Sequence, residues 1–174
     1  MNPLQDAIGQ PLQWAQPKVF ARAYVLRGKD GLFAAIRWQG GFSTTALAEV
    51  GDMRLTFKRE GVLQPKIVVR DAEAGEVLLT FKPILKISGL LTFENGKRFK
   101  WSNTTAWSSD WAWLNEDGKP VVQIKKGRDV EMSELAADAV EELPFLITLA
   151  WYLIIMLQDA DPTMKKARPT ASNR

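Results

Sequence analysis

At 174 residues, with 46% hydrophobic content and 10% aromatics, the chain can bury the core of one folded domain and is too apolar for a disordered segment. It contains no cysteine and no histidine, which excludes disulfides, thiolate metal centres and a Ser-His-Asp triad and removes the commonest metal ligand and general base. The net charge of +3, with a pI near 9.2, suits an anionic partner without naming one.

Residues 1–17, punctuated by Pro3, Pro11 and Pro17 and carrying Leu4, Ile8, Leu12 and Trp14, read as a lead-in arm draped over the domain. They lack the basic segment and apolar run of a secretory signal, so the expected location is cytoplasmic or peripheral at a membrane.

From Lys18 to Met132, short apolar or alternating runs are broken by turn residues such as Asp30-Gly31, Gly40-Gly41, Gly51-Asp52, Asn95-Gly96 and Asp117-Gly118. This spacing predicts a meander of antiparallel strands near 18–27, 31–39, 42–50, 52–58, 66–71, 76–83, 87–94, 97–102, 109–114, 120–125 and 128–132. Asn95-Gly96 is the clearest hairpin signal and predicts a type I′ turn. Alternation assigns the faces. Leu55 and Phe57 point inward and Arg54, Thr56 and Lys58 outward. In the same way, Phe99 and Trp101 share an inner face with Arg98 and Lys100 outside, and Trp111 and Trp113 share a face.

The acidic stretch 131–142 leads into an apolar run from Leu143 to Leu157, read as a helix near 143–158 with Pro144 in its first turn. Such a helix is apolar around every face and must be enclosed by protein or lipid. About fifteen residues span roughly 22 Å, short of the ~30 Å hydrocarbon layer. A membrane span would also place Lys165, Lys166 and Arg168 on the far side, against the positive-inside bias. A sheet of 11–12 strands closed, or nearly closed, around a buried helix is the expected architecture, with 18–161 as one barrel domain. The tail, 162–174, holds Lys165, Lys166, Arg168 and Arg174 among Pro, Thr, Ser and Asn and reads as disordered.

A resemblance is carried by Leu91-Thr92-Phe93-Glu94-Asn95-Gly96-Lys97-Arg98-Phe99, Trp107, Trp111-Ala112-Trp113, Glu116-Asp117-Gly118-Lys119-Pro120-Val121 and the terminal helix from Leu143-Pro144-Phe145. In this order of elements the last half of the chain resembles bacterial members of the tubby C-terminal-like superfamily, which includes tubby proteins, phospholipid scramblases and LURP-one-related proteins. The resemblance implies a barrel around a central helix and an anionic lipid headgroup or membrane surface as partner. The outward Arg54, Lys58, Arg98 and Lys100 are the candidate lipid-binding residues. No calcium loop of the scramblase type and no phosphoinositide pocket of the tubby type carries over.

No motif points to an enzyme. Glu141-Glu142 and Asp159 with Asp161 are paired carboxylates, but they sit at the ends of the apolar helix, where capping explains them. Thr104-Thr105 and Ser108-Ser109-Asp110 have turn composition; a Ser–Lys dyad is the one nucleophilic arrangement left open. Gly28-Lys29-Asp30-Gly31 and Gly40-Gly41 match neither a Walker loop nor a dinucleotide fingerprint, and Asp71-Ala72-Glu73 lacks EF-hand spacing. Trp101, Trp107, Trp111 and Trp113 beside Lys97, Arg98 and Lys100 could stack nucleic-acid bases, but core packing accounts for their spacing better, so nucleic acid is the less favoured partner. The expectation is a non-enzymatic binding or scaffolding module without a cofactor. Its rivals are a tail-anchored protein spanning the bilayer with 143–157 and a nucleic-acid-binding module. No pattern in the sequence specifies an oligomeric state.

Overall fold

The computed structural model describes residues 1–85, 88–104 and 109–160. After a 3₁₀ turn at Leu4–Ala7 come β1 (Leu12–Ala15), β2 (Ala23–Gly28), β3 (Gly31–Trp38), β4 (Ala46–Val50), β5 (Met53–Glu60) and β6 (Lys66–Asp71). The second half contributes β7 (Val77–Leu85), β8 (Ser88–Thr92), β9 (Arg98–Asn103), β10 (Trp111–Leu114), β11 (Pro120–Lys125) and β12 (Asp129–Met132). A second 3₁₀ turn, Glu134–Ala139, leads into α1 (Leu143–Ala160). Among the described residues these strands form a closed up-and-down barrel, each antiparallel to its sequence neighbours, with β1 pairing β12 to complete the ring.

The predicted faces hold. Leu55, Phe57, Phe99, Trp101, Trp111 and Trp113 are buried, whereas Arg54, Lys58, Arg98 and Lys100 are exposed. The apolar segment fills the barrel as α1. Leu146 through Tyr152 are all buried, and seven consecutive residues make two turns, so every face of the helix is covered. Trp151 stacks on Trp14 with ring centroids 5.1 Å apart and meets the edge of Tyr24 at 5.3 Å. Trp113 Nε1 donates to the Leu146 carbonyl at 2.7 Å, satisfying a polar atom that would otherwise be orphaned in the core. Gly89 in β8 has no room for a side chain, because a Cβ there would lie 2.1 Å from the Phe81 ring. A hollow bounded by Phe81, Trp101, Trp111 and Leu153 measures about 50 Å³, room for water-sized molecules.

Several expectations need correction. Residues 12–15 are a wall strand rather than part of a draped arm: Leu12 and Trp14 point inward and Gln13 outward, where its Nε2 donates to Asp129 at 2.8 Å. Four residues between prolines are too few to display a period of two. β2 begins at Ala23 and β4 at Ala46, later than the predicted 18 and 42, because 16–22 and 39–45 form loops whose apolar residues look strand-like by composition alone. Asn95-Gly96 does form a hairpin, but only Gly96 has positive φ, at 86°. The Phe93 N–H bonds to the Lys97 carbonyl across a three-residue loop, so the turn is not type I′. The helix continues to Ala160, and Leu157 is only partly buried. Trp107 and the tail 162–174 lie outside the described residues.

Midway along α1, the Tyr152 hydroxyl donates to the Thr44 carbonyl at 2.5 Å. Burial pushes its pKa above the usual tyrosine range, against the opposing pull of Arg59 and Arg22. A folded-state value raised above the unfolded one means that Tyr152 contributes stability fully below about pH 10 and loses it as pH rises toward the folded value. Tyr152→Phe is therefore expected to cost about 1 kcal/mol at neutral pH, for the lost hydrogen bond, and to flatten the alkaline fall in stability. Urea midpoints measured from neutral pH to about pH 11 check this; parallel decline in both proteins would remove Tyr152 as the cause.

Candidate functional site

The four cations singled out from sequence do not form one patch. They lie on β5 and β9, with β6, β7 and β8 between them. Arg54 lies 3.7 Å from each of Glu49 and Glu73, and Arg98 Nε donates to Glu116 at 2.8 Å, so two of the four already face carboxylates. Lys58 and Lys100 have no such partner among the described residues. The tryptophans that might have stacked bases, Trp101, Trp111 and Trp113, pack on one another inside the barrel, with Trp101 and Trp111 centroids 5.1 Å apart.

Strand alternation produces a different grouping. Because all neighbours are antiparallel, the strand ends that flank the connections β1–β2, β3–β4, β5–β6, β7–β8, β9–β10 and β11–β12 lie at one rim, together with the C-terminus of α1. The remaining connections, and the N-terminus of α1, gather at the other. Side-chain bonds tie the first group together. Arg22, in the β1–β2 loop, donates to the carbonyls of Gly40, Gly41 and Ser43 in the β3–β4 loop at 3.0–3.1 Å and pairs with Asp159 of α1 at 2.5 Å. Its guanidinium also lies 5.1 Å from the Trp38 ring centroid.

The two rims carry opposite charge. Around the first, Lys18 precedes the β1–β2 loop tip, Arg37 is next to last in β3, Lys58 and Arg59 lead into the β5–β6 loop, and Lys66 leaves it. Lys82 lies near the end of β7 and Lys126 occupies the β11–β12 turn; none of these seven has a carboxylate partner among the described residues. The carboxylates at this rim are engaged: Glu60 with Arg70, Asp159 with Arg22, Asp129 with Gln13, and Asp110 with the Lys126 N–H. The opposite rim has a carboxylate in every connection and is acidic in sum, although Lys29, Lys97 and Lys119 lie among them. It holds Asp30, then Asp52, then Asp71, Glu73 and Glu76, then Glu94, then Glu116 and Asp117, and finally Glu134, Asp138, Glu141 and Glu142. Among these, the Asp71 carboxyl is held below its ordinary range by the N–H groups of Ala74 and Glu73 that donate to it.

Lys126 has φ of +54°, the left-handed region that normally favours Gly or Asn. The neighbouring β9–β10 loop holds it there: Asp110 Oδ1 accepts the Lys126 N–H at 2.9 Å and Ser109 O accepts the Gly127 N–H at 3.1 Å. A lysine at a position where glycine would fit more easily sets a cation at the tip of this rim. The same rim bears the most exposed large apolar side chains among the described residues: Phe20, Phe42, Val62 and Leu63 each expose at least 95% of their surface, and Val19 and Ile84 lie beside them in sequence or rim position. Sequence reading missed this site because its residues come from separate loops, each unremarkable alone. No group of three or more potential metal ligands occurs among the described residues.

Compared with known proteins, the chain matches no family model, no curated protein and no solved structure.

Proposed function

We propose that this protein is a non-enzymatic binding module that attaches peripherally to anionic lipid surfaces, with the cationic rim of the barrel facing the membrane. The observation that carries this reading is the segregation of charge between the two rims. A barrel with one cationic and one acidic end is oriented by an anionic surface before it touches it, attracted through one rim and repelled through the other. The resemblance to tubby-like barrels implies the same class of partner. The enclosure of α1 favours this reading over a bilayer-spanning tail, since a helix covered on every face by the barrel has no apolar surface left for lipid.

Each cation brought near an anionic leaflet contributes about 1 kcal/mol. The combined Lys18→Glu, Lys66→Glu and Lys126→Gly protein is expected to lose binding to phosphatidylserine-containing vesicles in a co-sedimentation assay at low salt while keeping its melting temperature. Charge reversal of Arg54 and Arg98, which are already paired at or near the acidic rim, is expected to matter far less. Equal loss from both sets would place the contact on the barrel wall. No binding by the unaltered protein at low salt would remove the lipid reading.

A further inference from the structure

We infer that the cationic rim inserts apolar loop tips into the bilayer interface, so that attachment is in part hydrophobic and survives salt; this rests on the lipid-surface reading above. Phe20 in the β1–β2 loop, Phe42 in β3–β4 and Val62-Leu63 in β5–β6 are almost fully exposed, on three successive loops of one half of the rim. Large apolar side chains exposed at this level mark a contact surface when several gather in one place.

The Phe42 tip is also held outward. Arg22, itself 17% exposed at its side chain, binds the carbonyls of Gly41 and Ser43, the residues on either side of Phe42. With its flanking backbone fixed, Phe42 is presented to solvent by the same arginine that joins the loop to α1.

Cations interleave with the tips. Lys18 lies two residues before Phe20, and Arg59 and Lys66 flank Val62-Leu63. Apolar side chains at the level of the acyl boundary, with Lys and Arg reaching the headgroups, is the arrangement of an interfacial anchor. A protein partner would be expected to meet these tips with acidic and apolar groups of its own. The lipid surface is favoured because it offers anionic charge above an apolar layer to loops that are spaced around a rim.

The chain has no cysteine, so single cysteines report position cleanly. Phe42→Cys and Leu63→Cys, each carrying a polarity-sensitive dye, are expected to shift to the blue on adding vesicles of equal phosphatidylcholine and phosphatidylserine, while Asp117→Cys at the acidic rim does not. In co-sedimentation, the unaltered protein is expected to keep part of its binding at high salt. The Phe20→Ser, Phe42→Ser, Leu63→Ser protein should bind only at low salt, with affinity reduced on the order of a hundredfold at high salt. If salt abolishes binding of the unaltered protein and the serine variant matches it, insertion is overturned while electrostatic attachment stands. If the unaltered protein binds no vesicle at low salt, both fall. If the serine changes alter only self-association measured by sedimentation and leave vesicle binding unchanged, the tips serve a protein contact and the inference is overturned.

Discussion

Replacing Ile147 or Trp151 by lysine is expected to abolish folding, giving insoluble protein or a soluble fraction without a cooperative melt. Both side chains are fully buried in α1 and enclosed by the barrel wall. A charge there has no partner and no path to water, and leaving it unpaired costs several kcal/mol against a total stability of about 5–15 kcal/mol. Trp151→Lys also removes the ring that stacks on Trp14 and meets Tyr24. Trp151→Ala, which introduces no charge, is expected to cost about 3–5 kcal/mol from packing alone. Leu157→Lys supplies the control, because Leu157 is only partly buried one turn before the helix end, where an amine can reach the cationic rim. Soluble Ile147→Lys protein with an unchanged thermal melt would mean that α1 is not enclosed.

The second large effect is expected at the other end of the helix, and it is asymmetric. Glu142 has a side chain only 2% exposed, and its carboxylate is met by Lys97 Nζ at 3.0 Å and Asn95 Nδ2 at 2.7 Å. Lys97 is 43% exposed and also donates to the Asp138 carbonyl at 2.6 Å. Lys97→Met strips the buried carboxylate of its cation and leaves it one neutral side-chain donor, a loss of about 3–5 kcal/mol. Glu142→Gln leaves Lys97 free to turn into water and is expected to cost about 1 kcal/mol. The Lys97→Met, Glu142→Gln double variant should recover most of the loss, which urea denaturation of the four proteins measures as a coupling energy. Equal costs for the two single changes would show that Glu142 reaches water on its own.

The helix and the strand faces were legible because each is a local pattern. An apolar run longer than three turns admits no exposed face, and in a strand Leu55 and Phe57, or Phe99 and Trp101, must lie on the same side of the sheet. The boundary residues were less legible. Val19, Phe20 and Phe42 read as strand residues because composition cannot tell an inward apolar residue from one at a loop tip, and Glu142 reads as an ordinary boundary charge although Asn95 and Lys97 close over it in the fold.

Local patterning alone requires a wrapper for a helix apolar on every face, points to an antiparallel sheet as that wrapper, and sets which side of most strands faces inward; these follow from backbone periodicity and the cost of leaving apolar surface in water. That Leu12–Ala15 closes the ring, and that cations and apolar tips gather at one rim while acids gather at the other, is visible once the strands are paired in space. So is the pairing of Arg54 and Arg98 with carboxylates. These outcomes depend on contacts between distant residues, such as Gln13 with Asp129 and Thr44 with Tyr152, separated by 116 and 108 positions. No local period encodes such contacts: Gln13 meets Asp129 when β1 pairs with β12 and closes the ring, Tyr152 meets Thr44 when α1 enters the barrel, and the rims form because alternating strand directions bring every second loop to the same end.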